Sequence, residues 1–398
     1  MPRRPGPIRH ARRVRSHSLV RTATVAVAAL AGFAMVWAQT LAAQFGGAID
    51  PRDLTQLVTA TPDAPADVRE ARPLNLLLIG SDSRVGANGE IGGADVEGMR
   101  SDATVLAHVS GDRERIDLMS IPRDLRMEIP TCTLFDGTEV QGREGKFNVA
   151  FSNGGRQGDP AEAAACTINA VHDLTGIRID HWAVLDFHGF TSMVDALGGI
   201  PMCIPEDIVS AKADLNLEAG PQVLSGEQSL GWARLRTSEV GDVSGSDLQR
   251  INRQQELLTQ TLRAARAKNL FTDAGELTSF LRAGAESLTT DEELGDLDFM
   301  IRLAYSLRGL SADDLTVTTV PWEYTEDRLG VLLADDAPQV FEDIRQDRPL
   351  SVVDEDDTTS AWGQDDGDDT EDAPSTPRAS TPDTGSDSID DILATCGP

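Results

Sequence analysis

Three groups of charged and hydroxyl side chains lie at the ends of predicted strands. They are the segments 81–84 (SDSR), 100–102 (RSD) and 122–124 (PRD), and open α/β sheets build their sites at such positions. Further cations, two kinds of amide and one carboxylate follow along the chain. These residues are Lys146, Asn148, Arg234, Arg236, Asp247, Arg250, Arg253 and Gln254. The whole set combines many cations with few carboxylates.

This combination is typical of a diphosphate site with a hard divalent metal. Mg²⁺ takes one or two carboxylates together with phosphate oxygens, and arginines offer planar pairs of donors to the remaining oxygens. Phosphoryl transfer depends mainly on positioning and on neutralising the charge of the phosphates. Each cluster alone is more simply interpreted as a turn cap or a surface ion pair. The clusters together favour a site.

The charge of the chain makes the clustering of cations unexpected. The 398 residues include 35 basic and 65 acidic side chains, a formal charge of −30. This balance excludes a nucleic-acid module that binds through a basic surface. The charge is also uneven, because residues 1–21 hold seven arginines and no acid, and the last 48 residues hold fourteen acids and only Arg378.

The elements that would position these side chains alternate between strand and helix patterns. Apolar runs at 74–79, 104–110, 115–121, 181–187 and 315–320 predict strands, with Gly111 and Asp112 at the turn of a hairpin. Helical periodicity predicts helices at 161–175, 189–197 and 247–268. The order predicts an α/β layered domain.

An apolar segment precedes this domain. No ionisable side chain stands between Arg21 and Asp50, and residues 24–45 are long enough, at ~1.5 Å per residue, to cross a hydrocarbon core of ~30 Å. The arginines before it predict a cytoplasmic start by the positive-inside rule. A signal peptide cleaved near Ala42 and Ala43 is the alternative, but its apolar region would be shorter.

The chain therefore divides into five predicted segments. They are a cytoplasmic basic segment at 1–22, a transmembrane signal anchor at 23–45, an extracytoplasmic stalk at 46–72, a catalytic domain at 73–350, and an acidic disordered tail at 351–398. We expect a single-pass protein of the cell membrane whose C-terminal domain is extracytoplasmic.

Four cysteines lie in the part predicted to be exported, where disulfides form readily. Cys132 and Cys166 flank one segment, so we favour their pairing, which leaves Cys203 for Cys396. The alternative for Cys203 is a buried free thiol.

Seven ordered blocks of residues resemble the LytR–CpsA–Psr family, which transfers glycopolymers to the bacterial cell wall. The blocks are 75–84 (NLLLIGSDSR), 100–102 (RSD), 120–124 (SIPRD), 146–148 (KFN) with Gly154 and Gly155, 176–181 (GIRIDH), 194–199 (VDALGG) and 247–255 (DLQRINRQQ). The resemblance implies an αβα layered domain with a central mixed β-sheet, behind one N-terminal transmembrane helix.

The resemblance also implies roles for single residues. Asp82 and Asp102 would hold Mg²⁺. Asp247 would either act as the base toward the acceptor hydroxyl or orient an arginine, with Arg123 and Arg250 as further catalytic residues. The pyrophosphate of a polyprenyl-linked donor would contact Arg84, Arg100, Arg123, Lys146, Arg236, Arg253 and Gln254. The polyprenyl chain would lie in an apolar tunnel, for which the candidates are Phe187, Phe190, Met193, Val194 and Leu197.

The leading hypothesis is a phosphotransferase that moves a glycopolymer phosphate from a polyprenyl-pyrophosphate carrier to a hydroxyl of peptidoglycan. With water as the acceptor, the same site would be a pyrophosphatase that acts on the lipid-linked glycan. A third hypothesis is a non-catalytic anchor that binds wall polymer or lipid without a metal. The identity of the glycopolymer stays open.

Overall fold

The computed structural model describes residues 50–59, 71–82, 99–241, 243, 247–311, 314–351 and Leu393. All of them belong to one compact unit, Ala48–Pro398. For 247–252 and Glu286 the description covers the backbone alone. Among the described residues, no helix has the length and apolar character needed to span a membrane. The basic segment at 1–22, the span predicted at 23–45 and nearly all of the acidic tail lie outside the described residues.

The strands of the described part follow one another from Asp50 to Leu333. They are β1 (Asp50–Pro51), β2 (Leu74–Ser81), β3 (Ser101–Val109), β4 (Ile116–Ser120), β5 (Arg126–Ile129), β6 (Cys132–Thr133), β7 (Glu139–Val140), β8 (Arg143–Lys146), β9 (His181–Asp186), β10 (Ile200–Ile204), β11 (Ile208–Ser210), β12 (Leu215–Leu217), β13 (Gly220–Leu224), β14 (Leu288–Thr290), β15 (Leu315–Thr319), β16 (Trp322–Tyr324) and β17 (Val331–Leu333).

The helices lie between and after these strands. They are α1 (Val149–Gly154), α2 (Pro160–Thr175), α3 (Phe187–Leu197), α4 (Gly226–Arg234), α5 (Asp247–Ala267), α6 (Ala274–Gly284), α7 (Leu297–Ser306) and α8 (Ala337–Arg345), with short 3₁₀ turns at Gly155–Gln157 and Ala285–Ser287. The helices and strands predicted from periodicity all form, with bounds within three residues of the expected ones.

The centre of the domain is a mixed sheet, which confirms the predicted fold class. Its seven described strands have the order β1-β14-β9-β2-β3-β4-β15. The central pairs β2–β3 and β3–β4 are antiparallel, whereas β2–β9 and β4–β15 are parallel. The predicted hairpin at Gly111 is present, because Val109 pairs with Ile116 across the turn.

Helices cover both faces of this sheet. Successive residues of a strand point to opposite faces, so apolar residues of one strand are buried on both sides. Leu77 and Ile79 of β2 belong to the core cluster that contains the alanine-rich α2 and also α8. Leu74 and Leu76 belong to a second cluster, with Phe299 and Leu303 of α7. The resulting arrangement is helix, sheet, helix.

A small arm extends from the sheet after β4. The strand β5 pairs antiparallel with β8, and β6 pairs with β7. The disulfide between Cys132 and Cys166 ties this arm to α2. The predicted pairing of these two cysteines is thereby confirmed. Cys203 is also disulfide-bonded, while Cys396 lies outside the described residues.

The start of the predicted stalk belongs to the folded domain. Asp50 and Pro51 pair parallel with Thr289 and Thr290 of β14, and Leu54 and Leu57 are buried in the core under α2. The expected stalk at 46–72 is therefore corrected for residues 50–59. The error has a physical reason, because two leucines spaced three residues apart form a short apolar stripe within a polar sequence.

Candidate functional site

The sheet topology brings the three charged clusters to one edge. Because β2 and β4 are both antiparallel to β3, the end of β2, the start of β3 and the end of β4 lie side by side. The register shift at Gly80 and Ser81 places Ser81 opposite Ser101. The parallel partner β9 adds Asp186, which pairs with Ser81. Ligand sites of open α/β sheets occupy such an edge.

A cavity of about 640 Å³ opens at this edge, and we call it the first cavity. Its charged lining residues are Asp82, Arg100, Asp102, Arg123, Asp186, Lys212, Arg234 and Arg236. Its apolar lining residues are Ala103, Val105, Leu185, Phe187, Phe190, Ala213, Leu230, Ala233, Leu257 and Leu258. The first cavity therefore joins a charged sheet edge to an apolar interior.

The apolar part is lined by residues of α3, α4 and α5, and local signals set where α3 and α4 begin. The N-cap of α3 is Asp186, whose carboxylate accepts the N–H of Gly189. The helix α4 begins at Ser225 with a capping box, because the Ser225 hydroxyl and the Gln228 side chain each bond the backbone N–H of the other. The guanidinium of Arg234, at the end of α4, lies 5.0 Å from the centre of the Phe187 ring, in cation–π contact.

A chain of ion pairs runs through the charged part. Arg123 Nη1 donates to Asp102 Oδ1 at 2.7 Å, and Arg123 Nε donates to Asp124 Oδ2 at 3.2 Å. Lys146 Nζ donates to the other oxygen of Asp124 at 2.7 Å. Although burial opposes charge on Arg123, its two carboxylate partners raise its pKa above the usual value. Burial also acts on Asp124, but Lys146 and Arg123 outweigh it and lower the Asp124 pKa.

Asp82 and Asp102 form a pair of carboxylates that lines the first cavity. Asp82 Oδ1 accepts the backbone N–H of Arg100 at 2.7 Å, and the Asp82 N–H donates to Arg100 O at 2.9 Å. These two bonds tie the end of β2 to the start of β3. No group of three or more His, Cys, Asp or Glu side chains suited to a metal occurs in the described part of the chain. Two carboxylates would hold a metal at this edge. Mg²⁺ uses such a set of ligands when phosphate oxygens complete its coordination shell.

The structure brings most of the predicted site residues together. Asp82, Asp102, Arg100, Arg123, Arg236 and Gln254 all line the first cavity. Lys146 lies in a second cavity that shares Arg100 and Arg123 with the first.

Three predicted residues lie outside the description, and one points elsewhere. Arg84 is outside the described residues, as are the side chains of Asp247 and Arg250 in the first turn of α5. The guanidinium of Arg253 is buried, with Nη2 donating to Leu235 O at 2.6 Å, and Arg253 is not among the residues that line the first cavity. It fixes the chain after α4 to α5.

The candidates for the apolar tunnel divide in the same way. Phe187 and Phe190 line the first cavity. Val194 and Leu197 are buried in core clusters, and Met193 lies against Gly284 of α6. On α3, therefore, the first turn faces the cavity and the later turns form core.

Sequence reasoning missed several lining residues on other elements. Leu257, Leu258 and Thr261 of α5 and Leu230 of α4 line the apolar part, and Lys212 stands in the turn between β11 and β12. The adjacent pair Leu257 and Leu258 carries a signal, because neighbouring leucines widen the apolar face beyond one stripe. The only signal for Lys212 is that lysine is rare in this chain.

The chain resembles known proteins in both sequence and structure. The model of the LytR_cpsA_psr family matches residues 49–341. The probable cell wall biosynthesis protein LcpB of Corynebacterium glutamicum is 31% identical over 270 residues, which cover 66% of this chain and 58% of that protein. A polyisoprenyl-teichoic acid–peptidoglycan teichoic acid transferase, TagU of Halalkalibacterium halodurans, is 30% identical over 248 residues, 62% of this chain and 69% of that protein.

Similar folds occur among solved structures. A LytR-Csp2A-Psr enzyme from Actinomyces oris superposes with a TM-score of 0.53 at 20% identity, over 74% of this chain and 95% of that one. Coverage of the first curated relatives is partial, at 58% of LcpB and 49% of LcpA from the same species. Because the family model matches well over half of the chain, the protein belongs to the LytR_cpsA_psr family.

Proposed function

We propose that this protein is a phosphotransferase that moves a glycopolymer phosphate from a polyprenyl-pyrophosphate carrier to a hydroxyl of peptidoglycan. The observation that carries the proposal is the composition of the first cavity, a charged sheet edge joined to an apolar interior. A pyrophosphate suits the cations and a polyprenyl chain suits the leucines and phenylalanines. The name of the relative TagU, a polyisoprenyl-teichoic acid–peptidoglycan transferase, supports the same class of reaction.

The proposed reaction is a displacement at the phosphorus that carries the glycan. The acceptor hydroxyl oxygen forms a bond to this phosphorus, and the bond from phosphorus to the bridging oxygen breaks. The bridging oxygen leaves with the lipid monophosphate, and the hydroxyl proton passes to a base, for which Asp247 stays the candidate. Arg100, Arg123 and Arg236 stabilise the charge that develops on the phosphate oxygens.

We further propose that Asp82 and Asp102 hold Mg²⁺ when donor is bound. The ion supplies charge neutralisation at phosphate oxygens. Asp102 gives one oxygen to Arg123, and among the described residues no contact engages its other oxygen.

The location of the protein is also a proposal. The Cys132–Cys166 disulfide supports an oxidising compartment, and the sequence of residues 23–45 supports a membrane anchor. A domain held outside the membrane would meet both the lipid carrier and the wall.

Site variants test the proposed reaction. Arg123→Gln and Asp102→Asn should each lower the rate of transfer by about 100-fold or more, because each removes charge or a ligand at the reacting phosphates. The measurement is covalent attachment of labelled glycan from a lipid-linked donor to isolated wall, by the full chain in detergent. Arg302→Gln is the matched control, because Arg302 is paired with Asp298 on the surface of α7.

Thermal unfolding of each variant separates loss of the site from loss of the fold. Full transfer activity in both site variants would overturn the proposal. Release of glycan phosphate without a wall adduct would assign hydrolysis instead.

A further inference from the structure

The second cavity is a basic pocket that adjoins the first cavity at Arg100 and Arg123, which line both. It also has a volume of about 640 Å³. Its lining residues are Met99, Arg100, Arg123, Asp124, Arg143, Lys146, Asn148, Val149, Ser152, Asn153 and Arg156. Five of these are cations and one is a carboxylate, in a chain whose net charge is −30. This excess of cations is far from what the composition of the chain predicts.

Three of the cations, Arg100, Arg143 and Arg156, have no acidic partner within the described residues. Arg123 and Lys146 are already paired with Asp102 and Asp124. Arg143, in the last strand of the arm, makes no ion pair there, and Arg156 contacts only Asn153 Oδ1, at 3.3 Å. Three arginines without an acidic partner in the described part of the chain therefore line one cavity.

An unsatisfied buried amide lies in the same cavity. The side chain of Asn153 is 97% buried, and its Nδ2 has no hydrogen-bond partner. The orientation of the amide is fixed because Arg156 can only donate, so the oxygen of Asn153 faces Arg156 and the N–H₂ group remains as a donor. A buried donor without a partner is costly. This amide donor and the unpaired arginines are together suited to bind an anionic oxygen.

The position of this pocket relates it to the transfer reaction. The attacking and leaving oxygens of a phosphoryl transfer lie roughly in line. If the lipid phosphate leaves toward the apolar first cavity, the acceptor hydroxyl approaches the phosphorus from the side away from that apolar part. The second cavity adjoins the first at Arg100 and Arg123, the only lining residues that the two share, so it offers the acceptor a neighbouring pocket apart from the apolar one.

We propose that the second cavity is the acceptor subsite, and that Arg143, Arg156 and Asn153 bind a carboxylate of the peptidoglycan strand next to the hydroxyl that attacks. The inference rests on the proposed function. Peptidoglycan stem peptides carry such carboxylates, and an arginine pair with an amide donor is the set that recognises them.

The test compares two acceptors in the full chain. One is a soluble peptidoglycan strand with free carboxylates, and the other is the same strand with its carboxylates converted to amides. We expect amidation to raise the acceptor KM about tenfold for the natural chain, as the loss of charge-assisted hydrogen bonds predicts. In Arg143→Gln/Arg156→Gln, both strands should have the same raised KM, while the donor KM stays unchanged. Arg302→Gln should behave like the natural chain.

Two kinetic outcomes would overturn the inference. One is an undiminished preference for the free-carboxylate strand in the double variant. The other is a rise of the donor KM alone, which would assign the pocket to the glycan of the donor. Equilibrium binding of the two strands to the full chain in the absence of donor is measured in parallel. If no transfer is detected, equal binding of both strands still overturns the acceptor subsite, whereas selective binding retains it and rejects only the transferase reaction.

Discussion

At the scale of single residues, a chain of ion pairs holds the charged side chains of the site in place. Arg123 joins Asp102 to Asp124, and Asp124 in turn holds Lys146. Lys146 is therefore held by Asp124. This carboxylate lines the second cavity and is not one of the two predicted metal ligands. These ion pairs keep the cations in place before the donor arrives. A phosphate that binds to Arg123 then competes with its two carboxylate partners.

Glu256 of α5 provides a prediction about pH. Burial raises the pKa of Glu256 to about 7, although Arg253 acts in the opposite direction. Its Oε2 is buried and accepts no hydrogen bond within the described residues. A carboxyl group with a raised folded pKa contributes stability that is fully present below its unfolded pKa, near 4.5, and is lost as the pH rises through about 7.

Glu256→Gln removes this titration. We expect the variant to be more stable than the natural chain at pH 8 by about 1–3 kcal/mol, and similar to it at pH 5. Urea unfolding between pH 5 and 8 measures the effect. Glu218→Gln, at an exposed position, should leave the pH profile unchanged. Parallel pH profiles for the natural chain and Glu256→Gln would contradict the prediction.

At the scale of elements, short segments with close packing place the cations. The arm β5–β8 carries Arg143 and Lys146, and the helix α1 carries Ser152 and Asn153. The disulfide fixes the arm to α2, and α2 packs on α1. Both walls of the second cavity therefore depend on α2, an alanine-rich helix whose small side chains permit close approach.

Gly154 is the contact point between α1 and α2. A Cβ at Gly154 would overlap the carbonyl oxygen of Glu162 and lie 2.6 Å from Ala163 Cα. Gly154→Ala should therefore destabilise the fold by about 2 kcal/mol or more, because backbone atoms must move. Thermal unfolding measures this loss. If the variant folds, the acceptor KM should rise more than the donor KM.

Gly309→Ala is the matched control. A Cβ at Gly309 would meet no atom within 4 Å, and its φ lies outside the left-handed region. We expect a change within about 0.5 kcal/mol. Equal effects of the two alanines would show that backbone freedom, and not the packing of α1 on α2, explains the Gly154 result.

At the scale of the whole molecule, the net charge and the site have opposite signs. The two cavities together are lined by eight cations and four carboxylates, while the chain as a whole has 65 acids and 35 bases. At an ionic strength of 0.1 M the Debye length is about 10 Å, so the distant acids are largely screened. Binding of an anionic substrate is then governed by the cations in contact with it.

This balance predicts the effect of salt. Raising the ionic strength from about 0.1 to about 0.5 M should raise both the donor and the acceptor KM several-fold, because the remaining attraction at short range is weakened. Steady-state transfer at a series of salt concentrations measures it, with a neutral osmolyte as the control for bulk effects. A KM that falls with salt would mean that repulsion by the acidic surface dominates.

The sequence by itself determined five of the seven described strands of the central sheet, three of the eight described helices and the identity of the strand-end clusters. These features follow from local periodicity and from turn residues, which depend little on distant parts of the chain. Because β2 and β4 are antiparallel to β3, the clusters at Asp82, Asp102 and Arg123 then had to meet at one edge.

Only the tertiary structure decided which cations face which cavity. Arg253 and Gln254 are neighbours in the sequence, yet the first bonds the chain after α4 and the second lines the first cavity. Arg143 and Arg156 carry no motif, and they face one pocket because a disulfide and a glycine contact bring the arm and α1 to the same helix. Contacts between distant segments set the direction of these side chains. Local periodicity along the chain does not predict such contacts.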